Sequence, residues 1–267
     1  MKRIPSISAM LLALCASIAS SAPGLNLGWN LACPTTSASA GDMQDPCDSN
    51  ANSHTLIGSV RAPAGLSKVT AEELVIDLQE SGSQLSPWWH LEDVSSTSPG
   101  GCRGTNPPLN DLGSLSVTAD FTGASTAICK DYWGHSCAGG FQYLPGLGAP
   151  CRARLQALFA RTAGIAGPLT ANVQYYVMNL RLDTQHTVED PSDPTVYVCP
   201  GCLDPAGIVF DSCKFDQPPG TQNGDVYVTS RDLRQIVYWQ GGLFFDPCSP
   251  AVPTHRATWG KVKSLYR

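Results

Sequence analysis

The stretch Gly134-His135-Ser136-Cys137-Ala138 comes within one residue of G-x-S-x-G, the turn that exposes a serine nucleophile between a buried strand and a helix. The flanks do not supply that setting. Lys130-Asp131-Tyr132-Trp133 precedes it, Ala138 stands at the fifth position, and Gly139-Gly140-Phe141-Gln142 is a poor start for a helix. The residues read better as a surface loop bounded by cysteines. Cys199-Pro200-Gly201-Cys202 has the spacing of a redox dithiol, but Leu203-Asp204-Pro205-Ala206-Gly207 offers no helix N-terminus to lower a thiol pKa. With Cys213 and Cys248 these residues also admit a four-thiolate zinc site, against which structural disulfides are the stronger expectation. His54, His90, His135, His186 and His255 lack the spacing of a local metalloprotease motif.

Two oxygen-rich stretches suggest calcium. Asp48-Ser49-Asn50-Ala51-Asn52 begins like a calcium loop, yet Ser53 replaces the glycine and Ser59 stands where a bidentate glutamate belongs. The second stretch carries Asp183, Glu189, Asp190 and Asp193 near His186, and is broken by Pro191 and Pro194. No cofactor is expected, calcium at these four acids being the candidate.

The aromatic residues are the stronger lead. In an extended segment neighbouring side chains point to opposite faces, so Trp88 and Trp89 are not both expected in one core, and one should face solvent. Tyr132 and Trp133, between Cys129 and Cys137, form a second platform with Asp131 and His135 as polar neighbours. Flat rings edged by hydrogen-bonding groups suit stacking against sugar rings. Trp88, Trp89, Asp131, Tyr132, Trp133 and His135 are therefore the expected ligand-binding set, and no catalytic residue is assigned.

The elements that must position these residues begin after residue 19. Lys2 and Arg3, an apolar core over residues 10–18 and small residues at 16–19 describe a secretory signal peptide. Its removal takes away Cys15 and leaves Cys33, Cys47, Cys102, Cys129, Cys137, Cys151, Cys199, Cys202, Cys213 and Cys248, an even set that predicts a disulfide framework in an extracellular or periplasmic protein. Short loops favour Cys33 with Cys47, Cys102 with Cys129 and Cys137 with Cys151. The loss of two cations carries the formal charge from −5 to −7, which argues against nucleic acid as a partner. Only 15% of the residues are charged, against roughly 25% in ordinary domains, and 25 glycines and 21 prolines imply many turns. Beyond the signal no apolar run is long enough to span a membrane.

Alternation of apolar and polar residues predicts short strands over 55–60, 74–79, 115–121, 153–159, 173–182, 195–198, 208–215, 225–229 and 235–239. Residues 20–52 read as a loop region. The expected fold is all-β, a single antiparallel β-sandwich of jelly-roll or immunoglobulin-like type over residues 20–252, with long disulfide-stapled loops. Residues 253–267 form a tail in which Trp259, Val262 and Tyr266 share one side of a short helix.

The closing segment from Trp259 to Arg267, the triplet Asp131-Tyr132-Trp133 and the step Pro87-Trp88-Trp89 resemble uncharacterised secreted bacterial proteins of unknown function. That resemblance implies export and fold, and carries over no catalytic residue. The expectation is an exported, non-catalytic binding or structural module of the cell envelope or extracellular space, with polysaccharide or an envelope protein as partner. A secreted glycosidase-like hydrolase with a site assembled from distant loops is the alternative, and partner docking through the tail is a third reading.

Overall fold

The computed structural model describes residues 24–30, 33–34, 41–91, 103, 114–122, 128–191, 198–221, 223–229 and 235–241. The expected signal segment 1–19, the tail 253–267, Cys102, Cys248, Asp193 and most of the expected strand 195–198 lie outside the described residues.

Two sheets make the fold. The first runs β1 (Leu25–Trp29), β3 (Ser53–Arg61), β9 (Gln174–Asp183) and β5 (Leu115–Thr118), with β6 (Cys129–Lys130) beside β9. The second runs β2 (Asp42–Met43), β12 (Ile236–Trp239), β10 (Ala206–Asp216), β4 (Ala71–Glu80), β8 (Arg152–Ala160) and β7 (Ala138–Pro145), with β11 (Val226–Val228) on β10. Pairing is antiparallel except for β2 on β12 and β6 on β9, so the sandwich expected from the sequence is the fold observed.

Side-chain parity explains the core. On β4, Glu72, Leu74, Ile76 and Leu78 turn inward, and their partners on β8 are Phe159, Ala157, Leu155 and Ala153. Leu56 and Val60 of β3, and Leu180 and Leu182 of β9, meet them from the other sheet. Residues 20–52 are more than loop: Leu25, Leu27 and Trp29 make β1 a fully buried strand along β3. The glycine-rich segment after Cys137 is likewise a strand, β7, completing a hairpin with β8. Gly139 is required there, because a Cβ would meet the Phe159 ring at 2.2 Å.

The disulfides are long-range, which corrects the local pairings. Cys33 joins Cys129 and Cys47 joins Cys202, across 96 and 155 residues. Cys151 and Cys199 are also disulfide-bonded. Cys137 and Cys213 are free thiols, so the framework is smaller than the even count implies. Geometry gives the reasons. Cys137 precedes β7 and Cys151 follows the turn at its far end, and an eight-residue strand puts roughly 25 Å between them. Cys213 on β10 is separated from β7 by β4 and β8, about 14 Å at the usual strand spacing and beyond disulfide reach.

Candidate binding face and the buried aromatic clusters

The expected aromatic platform is in the core. Pro87–Trp89 is a 3-10 turn, not extended chain, so successive side chains diverge by about 120° and both rings turn inward. Trp88 and Trp89 are 0% and 1% exposed. The Trp88 indole stacks on Trp239 at 5.0 Å, and Arg103 lies over it at 3.8 Å. Its Nε1–H donates to Thr187 Oγ1 at 2.9 Å. Trp89 meets Trp88 edge-on at 4.7 Å, and Trp29 closes on Trp239 from β1 at 5.9 Å. With its faces occupied, this cluster offers no ring to a sugar, which corrects the expectation that Trp88 or Trp89 faces solvent.

Trp133 is buried as well, at 1% exposure. Tyr132 is half-buried, its hydroxyl donating to Val69 O at 2.6 Å and accepting the Gly167 N–H at 3.0 Å. Arg161 lies over both rings and donates to both backbone carbonyls. Asp131 accepts the Gly134 N–H at 2.9 Å, an Asx turn that shapes the loop. His135 lies in the 3-10 turn Gly134–Ser136, its side chain outside the described residues. That turn runs into β7, so Ser136 has no nucleophile-elbow setting. Behind Trp133 the Glu72 carboxyl is fully buried. Burial raises its pKa well above the carboxylate range, partly offset by the Trp133 side chain, while neither oxygen meets a partner of full hydrogen-bond geometry.

The two oxygen-rich stretches meet each other. Asn50 Oδ1 accepts the Thr187 and Val188 N–H groups at 2.8 and 2.9 Å, and its Nδ2 donates to Val188 O at 2.8 Å. Thr184 Oγ1 donates to Ser49 O at 2.7 Å, and Asp183 pairs with Arg181 at 2.9 Å. Among the described residues, Asp183, Glu189 and Asp190 do not converge on a common point; Asp45, Cys47 and Cys202 do.

Glu80, at the end of β4, holds the turn that leads to the tryptophans by accepting the Ser86 N–H. Burial, opposed by that bond and assisted by the neighbouring Asp204 carboxylate, raises its pKa to about 7.

Open surface is found elsewhere, on the outer side of the second sheet. The register aligns Gly140, Leu158, Glu73, Lys214 and Tyr227 in one row across β7, β8, β4, β10 and β11. The next row holds Gln142, Gln156, Val75 and Ser212. Leu158 is 49% and Tyr227 66% exposed; Phe141, paired with the inward Ala157, has the opposite parity and belongs to the inner side of the edge strand. A shallow concavity of about 510 Å³ lies here, its lining including Glu73, Val75, Phe141, Gln142, Gln156 and Leu158. Lys214 Nζ bridges Glu73 at 2.9 Å and Asp216 at 2.5 Å in the middle of the face. Val75, Gln156, Leu158, Ser212, Lys214 and Tyr227 were present in the alternation that predicts the strands, Gly140 and Gln142 were not; what the sequence withheld is that nothing among the described residues packs over them.

No protein-family model and no curated protein matches the chain. Among solved structures, the second type II cohesin module of the cellulosomal adaptor ScaA scaffoldin of Acetivibrio cellulolyticus is similar at 8% identity over 78% of this chain and 86% of that one, with a TM-score of 0.29. A form of that module with a long C-terminal linker matches at 7% identity over 78% and 80%, with a TM-score of 0.28. At these scores the likeness carries no inference about a ligand or a partner.

Proposed function

We propose that the chain is an exported, non-catalytic binding module whose recognition surface is the outer face of the β4–β8–β7 region, and that an extended polysaccharide lies across it. One observation carries the reading: a sheet face with half-exposed apolar side chains and a concavity of about 510 Å³ stands open, when such surface on a monomer usually marks an interaction site. Leu158 and Tyr227 supply apolar contact, and Gln142, Gln156 and Glu73 supply hydrogen bonds at fixed spacing across the strands. An envelope protein is the other class of partner.

The hydrolase alternative has one observation in its favour, the raised pKa of Glu80 beside Asp204. The Asp204 carboxylate is close enough to raise the Glu80 pKa directly, whereas glycosidase pairs stand about 5 to 10 Å apart to admit a sugar and a water. The pair fits a structural clamp better than an acid and base.

Titration calorimetry of the mature protein against soluble polysaccharides tests the reading. Saturable binding, weakened tenfold or more in Leu158→Ala and Gln156→Ala, supports the face assignment. Binding unchanged in both variants removes the face, and heat from none of the polymers removes the carbohydrate.

A further inference from the structure

We infer that Asp45, Cys47, His54 and Cys202 form a redox-gated zinc site: a disulfide in the oxidised protein, and a tetrahedral two-sulfur, one-nitrogen, one-oxygen site once Cys47 and Cys202 are reduced. The donors come from three places in the chain. Asp45 Oδ1 accepts the Cys47 N–H at 2.6 Å, a tight turn in which Cys47 takes a positive φ of 56° and brings its sulfur beside the carboxylate. His54, near the start of β3, places Nε2 2.6 Å from Asp45 Oδ2. Cys202 arrives on the loop before β10, its carbonyl held by the Trp239 Nε1–H at 2.6 Å. An Asp45 oxygen and both sulfurs lie within 4.8 Å of one another. Ligand atoms on a tetrahedral zinc, with bonds of about 2.0 to 2.3 Å, are about 3.6 Å apart, so on reduction the two sulfurs separate, and the His54 ring turns from the Asp45 oxygen toward the metal, to complete the site.

A disulfide alone needs neither the carboxylate nor the imidazole. Sinking Asp45 to 1% side-chain exposure against a 13% exposed His54 is a costly arrangement for a cross-link that holds without it. The surroundings suit metal ligands. Trp239 meets the His54 ring edge-on at 5.3 Å and fixes its plane. Asn52 Nδ2 donates to Asp45 Oδ2 at 3.2 Å, and Gln240 Nε2 reaches Asp45 O at 2.5 Å and Cys47 Sγ at 3.4 Å. Such outer donors orient ligands and stabilise thiolate charge.

The chemistry balances with a dithiol as reductant. Its thiolate attacks one sulfur of the Cys47–Cys202 bond to give a mixed disulfide, and its second thiolate displaces that sulfur. The reductant leaves as a disulfide, two electrons poorer, and Cys47 and Cys202 become thiols. Zinc then replaces the two thiol protons, which pass to solvent, and His54 binds as the neutral imidazole. The node thus ties the segment before β3 to the β10 loop under oxidising and reducing conditions alike.

The test uses the mature full chain, folded oxidised, then reduced with dithiothreitol and exchanged anaerobically into zinc or cobalt(II). The disulfide form should retain no zinc, and the reduced form about one per chain, with intense visible absorption from tetrahedral thiolate-bound cobalt. His54→Gln and Asp45→Asn, each verified as folded before reduction, should weaken retention at least tenfold, whereas Cys137→Ser with Cys213→Ser should leave it intact. A reduced wild-type chain that holds no metal, folded or not, overturns the site. So does equal affinity in His54→Gln and Asp45→Asn, which would place the metal on other thiols.

Discussion

The outer faces of the two sheets have opposite fates. On the first, loops come back over the strands: Phe121 stacks on Tyr176 at 4.3 Å, Ile57 joins them, and the Cys33–Cys129 bridge closes the cover. Ser59 Oγ donates to Pro34 O at 2.7 Å and accepts from Gln174 Nε2 at 2.8 Å, so polar side chains beneath the cover are also used. On the second sheet the corresponding surface presents Leu158, Tyr227 and Gln156 to water. A covered face contributes a second small core and is closed to ligands; an open face contributes little stability and remains available. The difference separates structural residues from candidate binding residues more sharply than residue type does, since the tryptophans among the described residues are structural.

Breaking the cover should have the largest effect. Replacing Cys33 and Cys129 together by Ala removes a link across 96 residues, which chain entropy values at about 4 kcal/mol. A urea midpoint shifted by that amount, with ligand binding retained at low temperature, is the expected outcome. An unchanged midpoint would mean the loops hold the first face without their bridge. Phe121→Ala, which empties the space against the buried Tyr176 ring, should cost about 3 kcal/mol in the same measurement.

How far the sequence could foresee this asymmetry depends on what each feature rests on. Alternation located β4, β8 and β10 because each has one buried face, and it located β3 and β9 although the cover buries part of their outer faces too. It missed β1, whose Leu25, Leu27 and Trp29 alternate among residues that look like loop, and β7, where Gly139 and Gly140 stand at strand positions. The tryptophans were misplaced because Pro87 starts a 3-10 turn where extended chain was assumed. The cover was illegible for a different reason. It depends on which cysteines pair across 96 residues, and spacing holds no record of that. Gln156 and Leu158 were readable as outward residues of a strand, Gln142 on the missed β7 was not, and the freedom of all three from cover is a property of the whole fold.

Beneath the open face the inner side of the same strand should impose a pH dependence. Glu72 and Glu80 both have pKa values raised in the folded protein, chiefly by burial, and Glu80 lies at about 7. The unfolded chain ionises these groups near their ordinary value of 4.5, so above that pH it has released protons that the folded chain retains. Stability is then fully present below about pH 4.5 and declines as pH rises toward 7 for Glu80 and further for Glu72, with a slope of at most about 1.4 kcal/mol per pH unit for each group. Denaturant midpoints at intervals from pH 4 to 8 should show that decline, flattened in Glu72→Gln. An equally steep decline in Glu72→Gln would place the titration elsewhere.

The smallest effect on stability should come from the open face itself, and that smallness is the informative result. Leu158 and Tyr227 are about half and two-thirds exposed, so Leu158→Ala and Tyr227→Ala lose little buried area on unfolding and should shift the denaturation midpoint by no more than about 0.5 kcal/mol. A loss of 2 kcal/mol or more, comparable to Phe121→Ala, would show that this face is covered in the native protein, by another part of the chain or by a second copy. Sedimentation of the wild type at two concentrations separates those causes, because only a second copy makes the apparent mass rise with concentration. If both substitutions leave stability unmoved while ligand affinity falls, the contrast between the faces is one of function: the first sheet spends its outer residues on holding the fold, and the second keeps its own for recognition.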